Sequence, residues 1–282
     1  MSLKIIVHNV AHGHAIHAFT PNGQVVVIDL GCSKEFSPLE WLRGQTSTID
    51  KLIISHPHGD HIDEIDNLTS HGFEIRQLWR PSWLTEDDVR KANQKTYTKK
   101  LDTYFEMNAR FTGKISDGEL VGDPAVSGGV SIQKFASREC GASNINNHSG
   151  VVVFSYHGIK VVIPGDNEPA SWNSLLNNYE FAAAIKDAHV FLASHHGRES
   201  GYLSDIFGKM TPRICLISDG KVQDTDATSR YSGHASGWSV NSRSSNTAIQ
   251  RNCLTTRSDG HLVIDVGLQP STNKPYLAVS TD

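Results

Sequence analysis

Ser55-His56-Pro57-His58-Gly59-Asp60-His61 is the stretch on which the reading of this chain turns. It holds four groups able to ligate a metal, His56, His58, Asp60 and His61, within six residues and without a cysteine. Imidazole nitrogens and carboxylate oxygens suit zinc, manganese or iron. Gly59 is read as the residue that lets the backbone turn tightly enough to gather them. Residues 51–55, immediately upstream, form an apolar run of strand length, so the ligands stand where a buried strand ends.

Around this segment the 282-residue chain carries 26 Lys+Arg against 30 Asp+Glu, a net charge of −4. That balance excludes a protein that holds nucleic acid by bulk positive charge. Hydrophobic residues at 38% and charged residues at 20% supply a core and exclude a disordered chain. The N-terminus MSLKIIVHNV lacks a signal-peptide pattern, and the apolar runs at 24–30 and 150–154 are far short of a membrane span. Cys32, Cys140, Cys215 and Cys253 are scattered and form no CxxC pair, as reduced core thiols do. These features predict a cytoplasmic protein with no membrane partner. The 15 histidines are the anomaly, and the chemistry is expected among them.

The first thirty residues read as a meander: strands over 4–10 and 14–20, a Pro21-Asn22-Gly23 turn, and the continuously apolar strand 24–30. A short helix over 38–43 follows. A long helix is predicted over 85–111, with Thr85 and Asp88 as a capping box and Leu84 and Val89 as a hydrophobic staple. Strands are expected at 130–135, 151–156, 160–164, 188–193, 213–218, 261–266 and 276–279. Helices are expected at 168–177 and 246–252. Residues 221–245, rich in Ser, Gly and Asp, read as a long loop over the site. Together these predict an α/β fold in one domain spanning 1–282, with a helical insertion near 83–115 and that loop near 221–245.

With these surroundings, the HxHxDH segment resembles the metallo-β-lactamase superfamily. More narrowly, it resembles the hydrolase domain of the DNA-uptake protein ComEC and its free-standing relatives. The resemblance is carried by HNVAHGHA (8–15), NGQVVVIDLG (22–31), VVIPGD (161–166), ASHHG (193–197), RYSGH (230–234) and TTRSDGHLV (255–263). It implies a four-layer αββα sandwich, two mixed sheets face to face with helices outside. It also implies two divalent metal ions, zinc, manganese or iron.

On that basis His56, His58 and His148 would hold the first ion. Asp60, His61 and one of His195 and His196 would hold the second, with Asp166 shared. His195 and His196 end an apolar strand with side chains pointing apart, so one is a ligand and its neighbour a supporting or substrate group; the sequence leaves open which. Asp29 is expected to hydrogen-bond and orient the HxHxDH loop. His12 and His14 are expected to face the site from the opening loop. Many relatives carry an acidic residue at the position of His14, which points to altered substrate contacts. His234 is expected to protonate the leaving oxygen.

Two cations a few ångströms apart acidify a bridging water, and the resulting hydroxide attacks without any side-chain nucleophile. The resemblance implies a phosphodiester substrate, single-stranded nucleic acid or a nucleotide, and hence a phosphodiesterase or nuclease. A second reading is hydrolysis of a small ester, lactone, amide or phosphocholine-type head group; a third is a non-catalytic metal-binding module for a partner. The region 85–111 mixes basic residues with Tyr97, Tyr104 and Phe105, a pattern that suits single strands. Its acidic residues, and an aromatic spacing that is that of a core-facing stripe, favour a solvated charged face over a nucleic-acid surface.

Overall fold

Val25–Ile28 and Lys51–Ile53 run parallel side by side, and every residue of both is buried. Their uninterrupted apolar character follows from what lies on each face. Val26 and Ile28 point into the core between two sheets, while Val25 and Val27 point to a second core under helices. The computed structural model describes residues 1–116, 118–221, 224–245 and 247–282.

The larger sheet has nine strands in the order Thr247–Arg251, Trp238–Ser242, Pro275–Thr281, Leu262–Leu268, Ser2–Val7, Ile16–Phe19, Val25–Ile28, Lys51–Ile53 and Leu78–Trp79. The opening meander is antiparallel, and Leu262–Leu268 pairs with Ser2–Val7 to bring the two chain ends together. The smaller sheet has six strands: Cys253–Thr255, Ile214–Ile217, Val190–Leu192, Ile159–Ile163, Val151–Tyr156 and Ser131–Phe135. Its first four are parallel.

Phe154, Val161, Leu192 and Leu216 of the smaller sheet meet Ile5, Ile28, Ile53 and Ile264 of the larger one. Trp172, Phe181 and Phe191 fill the outer core against helices Pro169–Leu176 and Tyr179–Ile185. Leu39, Ile54, Val89, Leu101 and Tyr104 fill the other, under Pro38–Arg43, Ile65–Ser70, Glu86–Ala92 and Thr98–Arg110. The result is a four-layer αββα sandwich. No helix among the described residues is long and apolar enough to cross a membrane.

Three sequence expectations are corrected. The helix over 85–111 is two helices, Glu86–Ala92 and Thr98–Arg110, separated by extended Asn93 and Gln94 and a single turn, Lys95–Tyr97. Asn93 causes the break: its side-chain amide donates to the carbonyls of Val89 and Pro57, each at 2.9 Å. The Thr85–Asp88 capping box is present. Two cations of this region are taken up within it, Arg90 by Glu86 and Asp102 and Lys91 by Asp87, Lys100 pairs with Asp63, and Tyr104 is buried.

Within 221–245, whose residues 222 and 223 lie outside the described residues, stand a helix, Thr228–His234, and a strand, Trp238–Ser242. That strand buries Val240 and lays Trp238 under the Arg213 guanidinium, so it shows too little apolar alternation to be read locally. The helix over 246–252 is instead the strand Thr247–Arg251; Asn246 lies outside the described residues. Ladder hydrogen bonds to Trp238–Ser242 override its helix-compatible composition.

Gly59 is needed for a reason other than its backbone angles, which are not left-handed. A Cβ there would overlap the Tyr97 ring, which lies flat against the HxHxDH loop. Gly59→Ala is expected to cost about 1–3 kcal/mol in urea unfolding. Tyr97→Ala in the same chain should recover most of that loss, and a Gly59→Ala protein as stable as wild type would show the contact to be slack.

Candidate metal centre

Asp29 leaves the end of Val25–Ile28 with φ 60°, which turns its carboxylate inward and leaves it without solvent exposure. Oδ2 accepts from His14 Nδ1 and His61 Nδ1, each at 2.8 Å, and from Ser55 Oγ at 2.7 Å. Oδ1 accepts from the Ser55 backbone N–H at 2.6 Å. Burial pushes this carboxyl up, but His61 and His14 outweigh it and hold it well below the usual carboxylate range. With Nδ1 engaged, His61 presents Nε2 to the site.

The loop that follows Lys51–Ile53 brings the other groups to that nitrogen. His56 Nε2 lies 2.9 Å from His58 Nδ1 and 3.9 Å from Asp166 Oδ2. His61 Nε2 lies 3.3 Å from Asp166 Oδ1 and 4.0 Å from Asp60 Oδ2. Asp166 arrives from the smaller sheet, just beyond Ile159–Ile163, so the site forms where strand ends of both sheets face each other. Two triads of potential ligands result, His56/His61/Asp166 and Asp60/His61/His196, with donor atoms within 4.8 Å of one another in each. A third, His14/Asp29/His61, is the hydrogen-bonded brace already described.

The structure distinguishes the two adjacent histidines. Both have left-handed backbones, His195 at φ 49° and His196 at φ 53°, and their rings diverge. His196 Nδ1 donates to the Ser218 carbonyl at 3.0 Å, and its Nε2 lies 3.2 Å from Asp60 Oδ2 and 3.4 Å from Asp166 Oδ2. His195 instead sets Nδ1 2.9 Å from Ser200 Oγ and 3.3 Å from Glu168 Oε1, with Nε2 3.8 Å from Asp166.

These residues fit divalent cations. Among the described residues, Nε2 of His61, Nε2 of His196 and Oδ1 of Asp166 are fully buried and without a hydrogen-bond partner. Buried polar atoms are rarely left so. Their short mutual distances are misaligned for hydrogen bonds but converge as ligand lone pairs do. The set contains nitrogen and oxygen donors and no sulfur, the preference of zinc, manganese and iron rather than of a soft cation.

The remaining expected residues are placed as follows. His148 belongs to neither triad; its Nδ1 accepts from Trp83 Nε1 at 3.0 Å, and its Nε2 is buried without a partner. His12 is half-exposed at the mouth, with Nε2 3.3 Å from Asp60 Oδ2. His14 is buried with Nδ1 2.8 Å from Asp29 Oδ2, and its Nε2 is buried without a hydrogen-bond partner among the described residues. His234 is not brought to the triads: Nε2 lies 2.6 Å from Tyr202 Oη, and its ring stacks on Phe207 at 4.0 Å. Ser55, Glu168 and Ser218 support the site without having been singled out in the sequence. The signal available for them was adjacency, since Ser55 precedes His56 and Glu168 follows Asp166 by two residues.

A family model described as the metallo-beta-lactamase superfamily matches residues 13–130, a span that holds Asp29 and the HxHxDH segment. The matched segment is similar to that superfamily, and the layered αββα architecture is compatible with it. Solved structures similar to the chain include a Thermotoga maritima protein described as a zinc-dependent hydrolase of the same superfamily, with 12% identity, TM-score 0.41, and coverage of 89% of this chain and 97% of that one. Human tRNase Z, short form, aligns at 11% identity and TM-score 0.43 over 79% of this chain and 96% of its own. CmlA, a diiron β-hydroxylase from Streptomyces venezuelae, aligns at 13% identity and TM-score 0.45 over 77% and 44%. No curated protein sequence matches the chain.

The metal-free charge pattern sets a pH expectation. Burial disfavours the imidazolium of His196, but Asp166 and Asp60 outweigh it and push its pKa up to about 10; His61 is raised by Asp166, Asp29 and Asp60 against the same burial. Both shifts favour the imidazolium in the metal-free chain, so a cation that takes these nitrogens competes with their protons. Calorimetric titration with zinc at pH 7, in buffers of different ionisation enthalpy, is expected to show release of about two protons per chain. Heats independent of the buffer would mean that these rings are already neutral.

Proposed function

We propose that this chain, built on the metallo-β-lactamase fold, is a binuclear metal-dependent phosphodiesterase or nuclease. The observation that carries the reading is that partnerless buried atoms of His61, His196 and Asp166 fall in two triads that share His61, between the two sheets. In this reading His56 and His58 hold one cation, joined by His148 through its buried Nε2. Asp60, His61 and His196 hold the other, and Asp166 serves both. Bound cations supply Lewis-acid polarisation of the scissile group and activation of water. The chain's own residues then do the positioning: Asp29 fixes the His61 ring, the Ser218 carbonyl fixes that of His196, and Tyr97 backs the loop that carries His58 and Asp60.

The phosphodiester part of the proposal rests on the ComEC-like motifs and on the mouth of the site. A cavity of about 580 Å³ opens beside His12, lined by Phe36, Lys221, Arg257 and His261 as well as Glu35 and Asp219. An aromatic face set among cationic side chains is suited to a base or other ring carried on a phosphate.

The test joins metal analysis to hydrolysis of bis-p-nitrophenyl phosphate and p-nitrophenyl acetate. Wild type is expected to bind two divalent ions per chain and to cleave the phosphodiester. Asp166→Asn should keep the fold while losing phosphodiester cleavage, and His58→Ala should lose metal. Turnover like wild type in a folded Asp166→Asn protein overturns the binuclear assignment. Cleavage of the acetate alone replaces the phosphodiesterase with a small-ester hydrolase, and two bound ions with no turnover of either leaves a binding module.

A further inference from the structure

Arg198 follows three consecutive left-handed residues, His195, His196 and Gly197, at φ 49°, 53° and 73°. Its backbone N–H donates to the His195 carbonyl at 3.0 Å. This turn roots the guanidinium two residues beyond His196, whose Nε2 reaches Asp60. On the other side of Asp60 stands His12, with Nε2 3.3 Å from Oδ2, and Arg198 Nη1 lies 3.7 Å from Asp224, three residues beyond the Lys221 that lines the same cavity as His12. The arginine therefore belongs to the same mouth as the metal triads.

A guanidinium this well covered ordinarily has its fork filled by a carboxylate. Only 22% of the Arg198 side chain is exposed, yet its Nε is buried without a hydrogen-bond partner among the described residues. Among the described residues, the carboxylate within ion-pair distance is that of Asp224, which is 84% exposed and 3.7 Å from Nη1. That separation is too long for a hydrogen bond. Asp60 and Asp166 are flanked by His61 and His196 and do not serve it. Covering a guanidinium without a carboxylate partner is costly, and an anion that meets its exposed edge offsets that penalty.

We propose that Arg198 is a substrate-binding residue that grips a non-bridging oxygen of a phosphate-ester anion at the mouth of the histidine–aspartate site. This deepens the hydrolase reading above and depends on it for the reaction, though not for the anion. The fork of a guanidinium matches two phosphate oxygens, whereas a neutral carboxylic ester brings no charge to that point. Arg198 is thus the feature that favours the phosphodiester over the small ester.

Inorganic phosphate is the probe, titrated calorimetrically into the manganese- or zinc-loaded protein, with steady-state hydrolysis of bis-p-nitrophenyl phosphate and p-nitrophenyl acetate beside it. Phosphate also binds metal ions directly, so the comparison of variants decides. Arg198→Gln is expected to weaken phosphate by about tenfold or more, the worth of one charge-assisted hydrogen bond. It should raise KM for the phosphodiester by a similar factor, with metal content and any turnover of the acetate unchanged. Arg198→Lys should recover part of both losses. Phosphate binding in Arg198→Gln equal to that of wild type overturns the proposal. Loss of bound metal in both variants also overturns it, by making Arg198 a brace for the His196 turn. If wild type cleaves no phosphodiester but Arg198→Gln still loses phosphate, the reaction fails and the anion site stands.

Discussion

The carboxylate of Asp29 joins segments that are far apart in the chain: the opening loop through His14, the strand end through Ser55, and the HxHxDH loop through His61. A charge at that depth persists only with its acceptor capacity filled, and four donors fill it. Two of those donors are imidazole Nδ1 atoms. The hydrogen bonds that stabilise the buried charge therefore also select which ring nitrogen each histidine offers to the site. Stability and ligand orientation come from the same contacts.

Around that brace, other parts of the fold remove freedom from the loops. Tyr97 lies on Gly59, Asn93 donates to the Pro57 carbonyl, and Gly31 packs so closely on His14 and Asp60 that a Cβ would collide with their backbones. On the opposite sheet, His195 and His196 occupy left-handed backbone conformations that non-glycine residues seldom adopt. Strain of this kind persists where the surroundings over-determine it, and it collects at functional sites. Here it sends two neighbouring rings in different directions, one to Asp60 and Asp166 and the other to Glu168 and Ser200.

Much of this was legible from local pattern. A continuously apolar run such as 24–30 reads as a strand because both its faces are covered, and HxHxDH after such a run reads as a ligand cluster because it has no competing structural use. The Thr85–Asp88 capping box was equally plain. The misread regions share one physical feature: their conformation is decided by partners distant in sequence. Asn93 breaks a helix by reaching the Pro57 carbonyl, 36 residues away in the chain. Thr247–Arg251 becomes a strand through ladder bonds to Trp238–Ser242. His234, suggestive within its motif, pairs with Tyr202 and Phe207 instead of reaching the triads.

By itself, then, the sequence determined the layered α/β class, the loop that carries most of the candidate ligands, and the residue types available for metal chemistry. All of these depend on short-range periodicity and on the fixed donor chemistry of each side chain. The tertiary structure alone decided that His196 and not His195 faces Asp60, that His14 serves Asp29, and that Nε of Arg198 lacks a hydrogen-bond partner among the described residues. Those outcomes depend on where two sheets and their connecting turns meet, and a left-handed residue or a long-range hydrogen bond leaves no periodic trace in the chain that makes it.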